Sequence, residues 1–312
     1  MRNGQIIHTG GESDPLLQSA APALPSAPPY PQWEAYDPDA GSFLYLLGDN
    51  YELVTILDRA GLQAQFTCPA TATCTVGGFG PGPDEVTAAG KGADLTAQVI
   101  GFDGTVRDTL DLSAAVTGQG TPADPGQRLG DLAWSPDERR LAVSTEPAFG
   151  CDPTRVACEA RVWLFDRNGG EPRLVYTEHT PGELVGGESP NTPVILELAW
   201  SPDGSRLGIV VGNQLVPESG KDDASQPLPR LVAVPVGGGD AQTLFTYDND
   251  HHPGGFFGNG LGRHFAFAWS PDGNRVAVTS NGGIAEISAT DGAVLAEHPG
   301  KKIHGPIAWL PR

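Results

Sequence analysis

Between Tyr247 and Phe257 the chain reads Tyr-Asp-Asn-Asp-His-His-Pro-Gly-Gly-Phe-Phe, which sets Asp248 and Asp250 beside the imidazoles of His251 and His252 and the rings of Phe256 and Phe257. Carboxylate oxygens suit calcium, imidazole nitrogens suit zinc-type metals, and exposed rings suit ligand stacking. Adjacent histidines in one loop seldom ligate the same ion, and no second histidine cluster can be placed beside them. The expectation is therefore a glycine-loosened binding loop that runs on to Arg263, with no metal or cofactor, calcium in the channel being the one alternative. Lys221-Asp222-Asp223 and Glu178-His179 read as ordinary exposed polar residues.

The cysteines fall in two close pairs, Cys68 with Cys74 (CPATATC) and Cys151 with Cys158 (CDPTRVAC). Two local disulfides fit these spacings, whereas zinc sites more often show two-residue gaps. Free thiols in a cytosolic protein remain the alternative. Disulfides imply an oxidising compartment, so the expectation is a secreted, periplasmic or cell-surface protein whose leader or anchor lies outside the sequence at hand. The N-terminus Met1-Arg2-Asn3-Gly4 lacks the apolar core of a signal peptide, and no run approaches the ~20 apolar residues of a membrane helix.

What must position these residues follows from composition. The 312 residues include 42 Gly and 29 Pro with an apolar fraction of 39%, and the Gly and Pro fall between short apolar runs. Runs such as Ser42 to Leu47, Glu52 to Leu57 and Arg206 to Val211 are short and rich in strand formers, and no helical apolar periodicity is sustained. The fold reads as all-β. A net charge of −19, from 38 acidic and 19 basic residues, would repel a phosphate backbone, which argues against nucleic acid as partner and reads first as solubility.

One phrase recurs. Leu132-Ala133-Trp134-Ser135-Pro136-Asp137 returns as Leu198-Ala199-Trp200-Ser201-Pro202-Asp203-Gly204 and as Phe267-Ala268-Trp269-Ser270-Pro271-Asp272-Gly273, each before an apolar strand. Weaker copies are Ala35 to Gly41 and Gly80 to Asp84, and Ile307-Ala308-Trp309-Leu310-Pro311 is a truncated one. Pro presets the turn, Asp accepts backbone hydrogen bonds, Gly takes the left-handed conformation, and Trp can pack between sheets. Glu138 stands where Gly is expected, at a cost of about 1 kcal/mol if the turn keeps its shape.

These phrases resemble the TolB-like, WD40-like β-propeller family across nearly the whole chain, which implies one domain of four-stranded blades around a channel. Turn signals at Asp58 to Gly61, Asp103-Gly104, Asn168 to Gly170, Gly237 to Asp240 and Asp291-Gly292 mark third-to-fourth-strand connections and complete five blades. Gly4 to Thr9, then Gly11 to Asp14, then Pro15 to Leu17 read as a third strand, its turn and a fourth strand. Gly305 to Trp309 reads as a first strand, so residues 1–20 and 303–312 would close a sixth blade, with residues 20–31 a Pro-rich connection; five blades with loose ends is the alternative.

Strand alternation puts the short turns on one face of the ring. The long segments Leu112 to Arg128, Glu146 to Glu159, Glu178 to Pro193, Gly212 to Pro229 and Asp248 to Arg263 fall on the other, as do both cysteine pairs. Binding loops are presented in this way. A peptidase of the prolyl-oligopeptidase kind would need a Gly-x-Ser-x-Gly elbow and a further domain, and sialidase Asp-boxes order their residues differently. The expectation is a non-catalytic, monomeric binding scaffold outside the cytoplasm for a protein or carbohydrate. The alternative is a small-molecule hydrolase, lactonase-like, with a metal at the channel mouth. The resemblance implies an envelope partner by analogy with TolB.

Overall fold

The computed structural model of the chain describes residues 6–8, 33–37, 42–47, 53–58, 61–68, 76–89, 96–113, 127–147, 159–179, 192–214, 228–247, 265–280, 283–299 and 307–309. These form five four-stranded antiparallel sheets and one two-stranded sheet. The first sheet holds β2 (Trp33–Asp37), β3 (Ser42–Leu47), β4 (Leu53–Asp58) and β5 (Gly61–Thr67). The second holds β6 (Val76–Phe79), β7 (Glu85–Ala89), β8 (Thr96–Gly101) and β9 (Val106–Asp111). The third holds β10 (Gln127–Trp134), β11 (Arg140–Pro147), β12 (Glu159–Asp166) and β13 (Arg173–His179). The fourth holds β14 (Thr192–Trp200), β15 (Arg206–Gln214), β16 (Arg230–Pro235) and β17 (Gln242–Thr246). The fifth holds β18 (Phe267–Trp269), β19 (Arg275–Ser280), β20 (Gly283–Ser288) and β21 (Val294–Pro299). The two-stranded sheet pairs β1 (Ile6–His8) with β22 (Ile307–Trp309).

Within each four-stranded sheet the strands lie in chain order, each antiparallel to the next. In the second to fifth sheets apolar residues alternate to both faces, so each of these is buried on two sides between its neighbours. Five separate cores fill the successive seams. Val54 and Ile56 meet Val86 and Ile100; Val99 and Leu110 meet Trp163 and Phe165; Val162 and Leu164 meet Leu198 and Ile209; Val210 and Leu231 meet Phe267 and Val276; Ala277 and Ile284 meet Ile307 and Trp309. Four-stranded sheets stacked in sequence, each through its own seam core, are the arrangement of a β-propeller.

The outermost strand of each sheet offers an unpaired edge, and each is bulged near its start. The pairing register slips by one residue between β4 and β5, β8 and β9, β12 and β13, β16 and β17, and β20 and β21. A bulge there twists the edge out of the geometry that a second chain would need.

One expectation is corrected. Residues 4–9 read as the third strand of a closing blade, yet β1 pairs directly with β22, Ile6 opposite Trp309 and His8 opposite Ile307. Since β22 carries the first-strand phrase, β1 stands in the second-strand place. Residues 9–32, where the expected turn, fourth strand and Pro-rich connection fall, lie outside the described residues.

Candidate functional site

Each Ser-Pro-Asp turn closes in the same way. Ser135 Oγ donates to Asp137 Oδ1 and accepts from the Arg140 amide (2.6 and 2.9 Å), and Ser201 with Asp203 and Arg206, and Ser270 with Asp272 and Arg275, repeat both distances. These hydrogen bonds, the serine hydroxyl's foremost, hold the Asp137, Asp203 and Asp272 carboxyls below their usual range, Asp203 at about 2. Gly204 and Gly273 turn at φ 67° and 69°, and Glu138 adopts φ 58° in their place, so the turn keeps its shape and bears the strain.

The same phrases tie neighbouring sheets. The indole N–H of Trp200 donates to Ala133 O, that of Trp269 to Ala199 O and that of Trp309 to Ala268 O (2.9, 3.2 and 3.0 Å). On each ring lies the guanidinium that follows the turn of the preceding sheet: Arg140 on Trp200, Arg206 on Trp269 and Arg275 on Trp309, at 4.9, 4.8 and 4.7 Å. Arg140 and Arg206 also donate to the turn carbonyls of Gly204 and Gly273. In the sequence an arginine follows each of these turns, at 140, 206 and 275, but nothing local marks that it reaches across to the next sheet.

Toward the inner edge, β10 and β14 carry bulges just before their Ala-Trp. Asp131 Oδ2 accepts from the Leu198 amide (2.8 Å) and Glu146 Oε1 from the Ile195 amide (3.0 Å), so two carboxylates of the third sheet hold the β14 bulge from either side. Both are buried, at 4% and 3% exposure. A Cβ on Gly130 would stand 2.3 Å from Glu146 Oε1, which explains the glycine. On the other face of β14, burial and then the Glu197 charge push the Tyr247 hydroxyl well above its ordinary pKa. Asp131 and Glu146 thus act as amide acceptors that fix neighbouring sheets. Among the described residues no group of three or more His, Cys, Asp or Glu could hold a metal ion.

The opposite end of the sheets, where the long segments leave and re-enter, carries two further networks on the two faces of the third sheet. Toward the fourth sheet, Arg230 grips Glu178 through both oxygens (2.8 and 2.7 Å), and the Tyr176 hydroxyl donates to Glu178 Oε2. Burial, and then that hydrogen bond, raise the Tyr176 pKa. Toward the second sheet, Glu159 binds Arg161 (2.7 Å) and His179 Nδ1 (3.1 Å). Glu178, expected to be an ordinary exposed residue, is only 13% exposed in its side chain, because it lies on the strand face that Tyr176 also buries; His179 is 67% exposed.

Asp248, Asp250, His251, His252, Phe256, Phe257 and Arg263 lie outside the described residues, as do Lys221 to Asp223, Cys74, Cys151 and Cys158. Their attachment points are described: the chain leaves β17 through Tyr247, which is buried, packed edge-on against Phe245 and Phe265, and anchored by its amide to Pro229 O (2.9 Å). Cys68, buried at the end of β5 in the seam between the first two sheets, is disulfide-bonded.

No protein-family profile matches the sequence. Intraflagellar transport protein 172 of Chlamydomonas reinhardtii is 29% identical over 122 residues, 36% of this chain, and the chain spans only 6% of that protein's length. Among solved structures, hydrazine synthase of Kuenenia stuttgartiensis has a TM-score of 0.46 at 11% identity over 83% of this chain and 76% of that one. A protein of unknown function from Bacteroides caccae gives 0.46 at 13% over 89% and 86%, and the WD40 domain of SCAP from fission yeast 0.43 at 10% over 97% and 60%. At these scores the propeller assignment rests on the sheet order and the seam cores.

Proposed function

We propose that the chain is a six-bladed propeller of the TolB-like, WD40-like kind that acts outside the cytoplasm as a non-catalytic scaffold, binding a protein or carbohydrate through the long segments on one side of the ring. The observation that carries this reading is the placement of the chain's length. Every internal segment of ten or more undescribed residues from 114 onward (114–126, 148–158, 180–191, 215–227 and 248–264) attaches at the same end of the sheets, while the turns at the other end are short and hydrogen-bonded. Rigid strands with their variable length gathered at one end present a contact surface at low ordering cost.

Six blades follow if β1 and β22 count as the inner strands of the last one, which would remove the open ends of the array. The disulfide at Cys68 fits an oxidising compartment, and the engagement of Asp131 and Glu146 with backbone amides speaks for scaffold over hydrolase. The test is a comparison of three proteins on a glycan array and against an envelope extract: the wild type, a chain with residues 250–257 replaced by Gly and Ser, and the turn-side variant D203A/D272A. Loss of a bound partner in the loop replacement alone supports the reading. Loss in the turn-side variant alone overturns it.

A further inference from the structure

The seam between the second and third sheets departs from the three that follow it. At the position of Arg140, Arg206 and Arg275 the second sheet carries Glu85, whose backbone oxygen accepts the Gly80 amide just as Arg140 O accepts that of Ser135. A carboxylate cannot stack on the next tryptophan. Glu85 turns back instead to the Gly82 amide (2.9 Å) and to Arg107 (3.1 Å). Trp134 keeps the inward end of its contacts, its indole N–H donating to Thr87 Oγ1 (2.7 Å), but the ring is only partly buried, whereas Trp200, Trp269 and Trp309 are 8%, 8% and 3% exposed.

Beneath it Val99, Leu110, Leu112, Trp163 and Phe165 pack together as at the other seams, so the departure is confined to the turn side. What covers the ring is Arg167, reaching from the third sheet's own turn to 5.7 Å and pairing with Asp108 at 3.6 Å. Both partners are about a third exposed, 32% and 39%, and such a solvent-screened contact yields readily to a competitor. Glu138 holds the left-handed turn of Gly204 and Gly273, so its carbonyl is placed as are those that accept from Arg140 and Arg206.

We propose that the turn side of the seam between the second and third sheets is an arginine-binding site, completed by a guanidinium from a cationic segment of a protein partner. The protein's own later seams define the occupant: a planar cation on the indole face, donating to the turn carbonyl. Lysine fits less well, since it offers no plane to stack and no fork. The net charge of −19 draws such a segment toward the molecule. This site is on the side opposite the long segments and stands or falls independently of the loop-side reading.

The test follows the Trp134 indole N–H by NMR during titration with acetyl-Gly-Arg-Gly-Arg-Gly-amide and with its lysine counterpart. The expected result is a saturable shift confined to Trp134, with the lysine peptide at least threefold weaker. E85R supplies the missing guanidinium in cis and should weaken arginine-peptide binding at least tenfold while the Trp200 and Trp269 resonances stay in place. R167A removes the loose cover and should leave binding equal or tighter. Should E85R fail to fold, W134L carries the same test, read by calorimetric titration. No shift up to 10 mM peptide, binding indifferent to E85R or W134L, or loss of binding in R167A would each overturn the proposal.

Discussion

The turn side of the molecule is made by repetition, the loop side by single solutions. On the turn side the same set of contacts, Ser to Asp, Trp to the preceding Ala carbonyl and Arg to the following Trp, recurs at three seams with distances that agree within 0.3 Å. Away from the turns, the Arg230–Glu178–Tyr176 network at the loop end belongs to the seam of the third and fourth sheets alone, and the Asp131 and Glu146 clamps at the inner edge belong to the β14 bulge. The repeated contacts set the angle between sheets from one end. Once that end is fixed, the other can take any sequence whose polar groups find partners, so length accumulates there without disturbing the stack.

If this division holds, turn-side lesions should cost the same at every regular seam, and loop-side lesions should be individual. The largest effect is expected from Trp200→Ala or Trp269→Ala, about 3–5 kcal/mol in each case by urea denaturation. Trp134→Ala should cost clearly less, because its ring is partly exposed. Equal losses at Trp134 and Trp200 would mean that the guanidinium cover is irrelevant. Next comes Glu146→Ala, which leaves the Ile195 amide buried without its acceptor (3.0 Å) and should cost about 1–3 kcal/mol. Hydrogen exchange should speed up at Ile195 and its β14 neighbours and stay unchanged at β18; uniform acceleration would show that the clamp is not local. Arg206→Ala should cost about 1 kcal/mol through the lost stacking and carbonyl contact, with Arg206→Lys recovering less than half.

The turn side was largely legible because its chemistry is local. Pro, Asp and Gly act on their own turn, so the hairpins at Ser135, Ser201 and Ser270, the tryptophan between sheets and the awkward Glu138 could all be read from neighbouring letters. What was not legible joins residues far apart in the chain. Nothing near Asp131 marks the Leu198 amide as its partner 67 residues on, and nothing near Glu178 marks Arg230. Strand parity was the available signal, since Tyr176 and Glu178 share a face that Val162 and Ala160 bury. The place of β1 was misread for the same reason: three residues carry strand propensity but no mark of position within a sheet, and pairing with β22 is settled only by the two ends meeting.

The smallest effect sharpens the comparison through pH. Asp203 has a folded pKa of about 2, against an ordinary 3.8, because Ser201 and Ser205 donate to its ionised form. A carboxyl depressed by folding stabilises the protein fully at pH values above its unfolded pKa. That contribution is lost as pH falls through the interval from about 4 to about 2. Asp203 is exposed on its turn, so screening by water limits the contribution to less than about 1 kcal/mol. The difference in urea midpoint between wild type and Asp203→Asn should therefore be constant above about pH 5 and shrink progressively as pH falls from about 4 toward about 2, since the Asp203 carboxyl becomes fully neutral only below its folded pKa. Asp272→Asn, in the same turn on the next sheet, should change with pH in the same direction, since Ser270 and the Asn274 amide hold its carboxyl below its usual range. A difference that persists undiminished at pH 2, or two variants whose differences move in opposite directions as pH falls, would mean that the turns are alike in shape but not in energy, and the repeated side would then be as individual as the other.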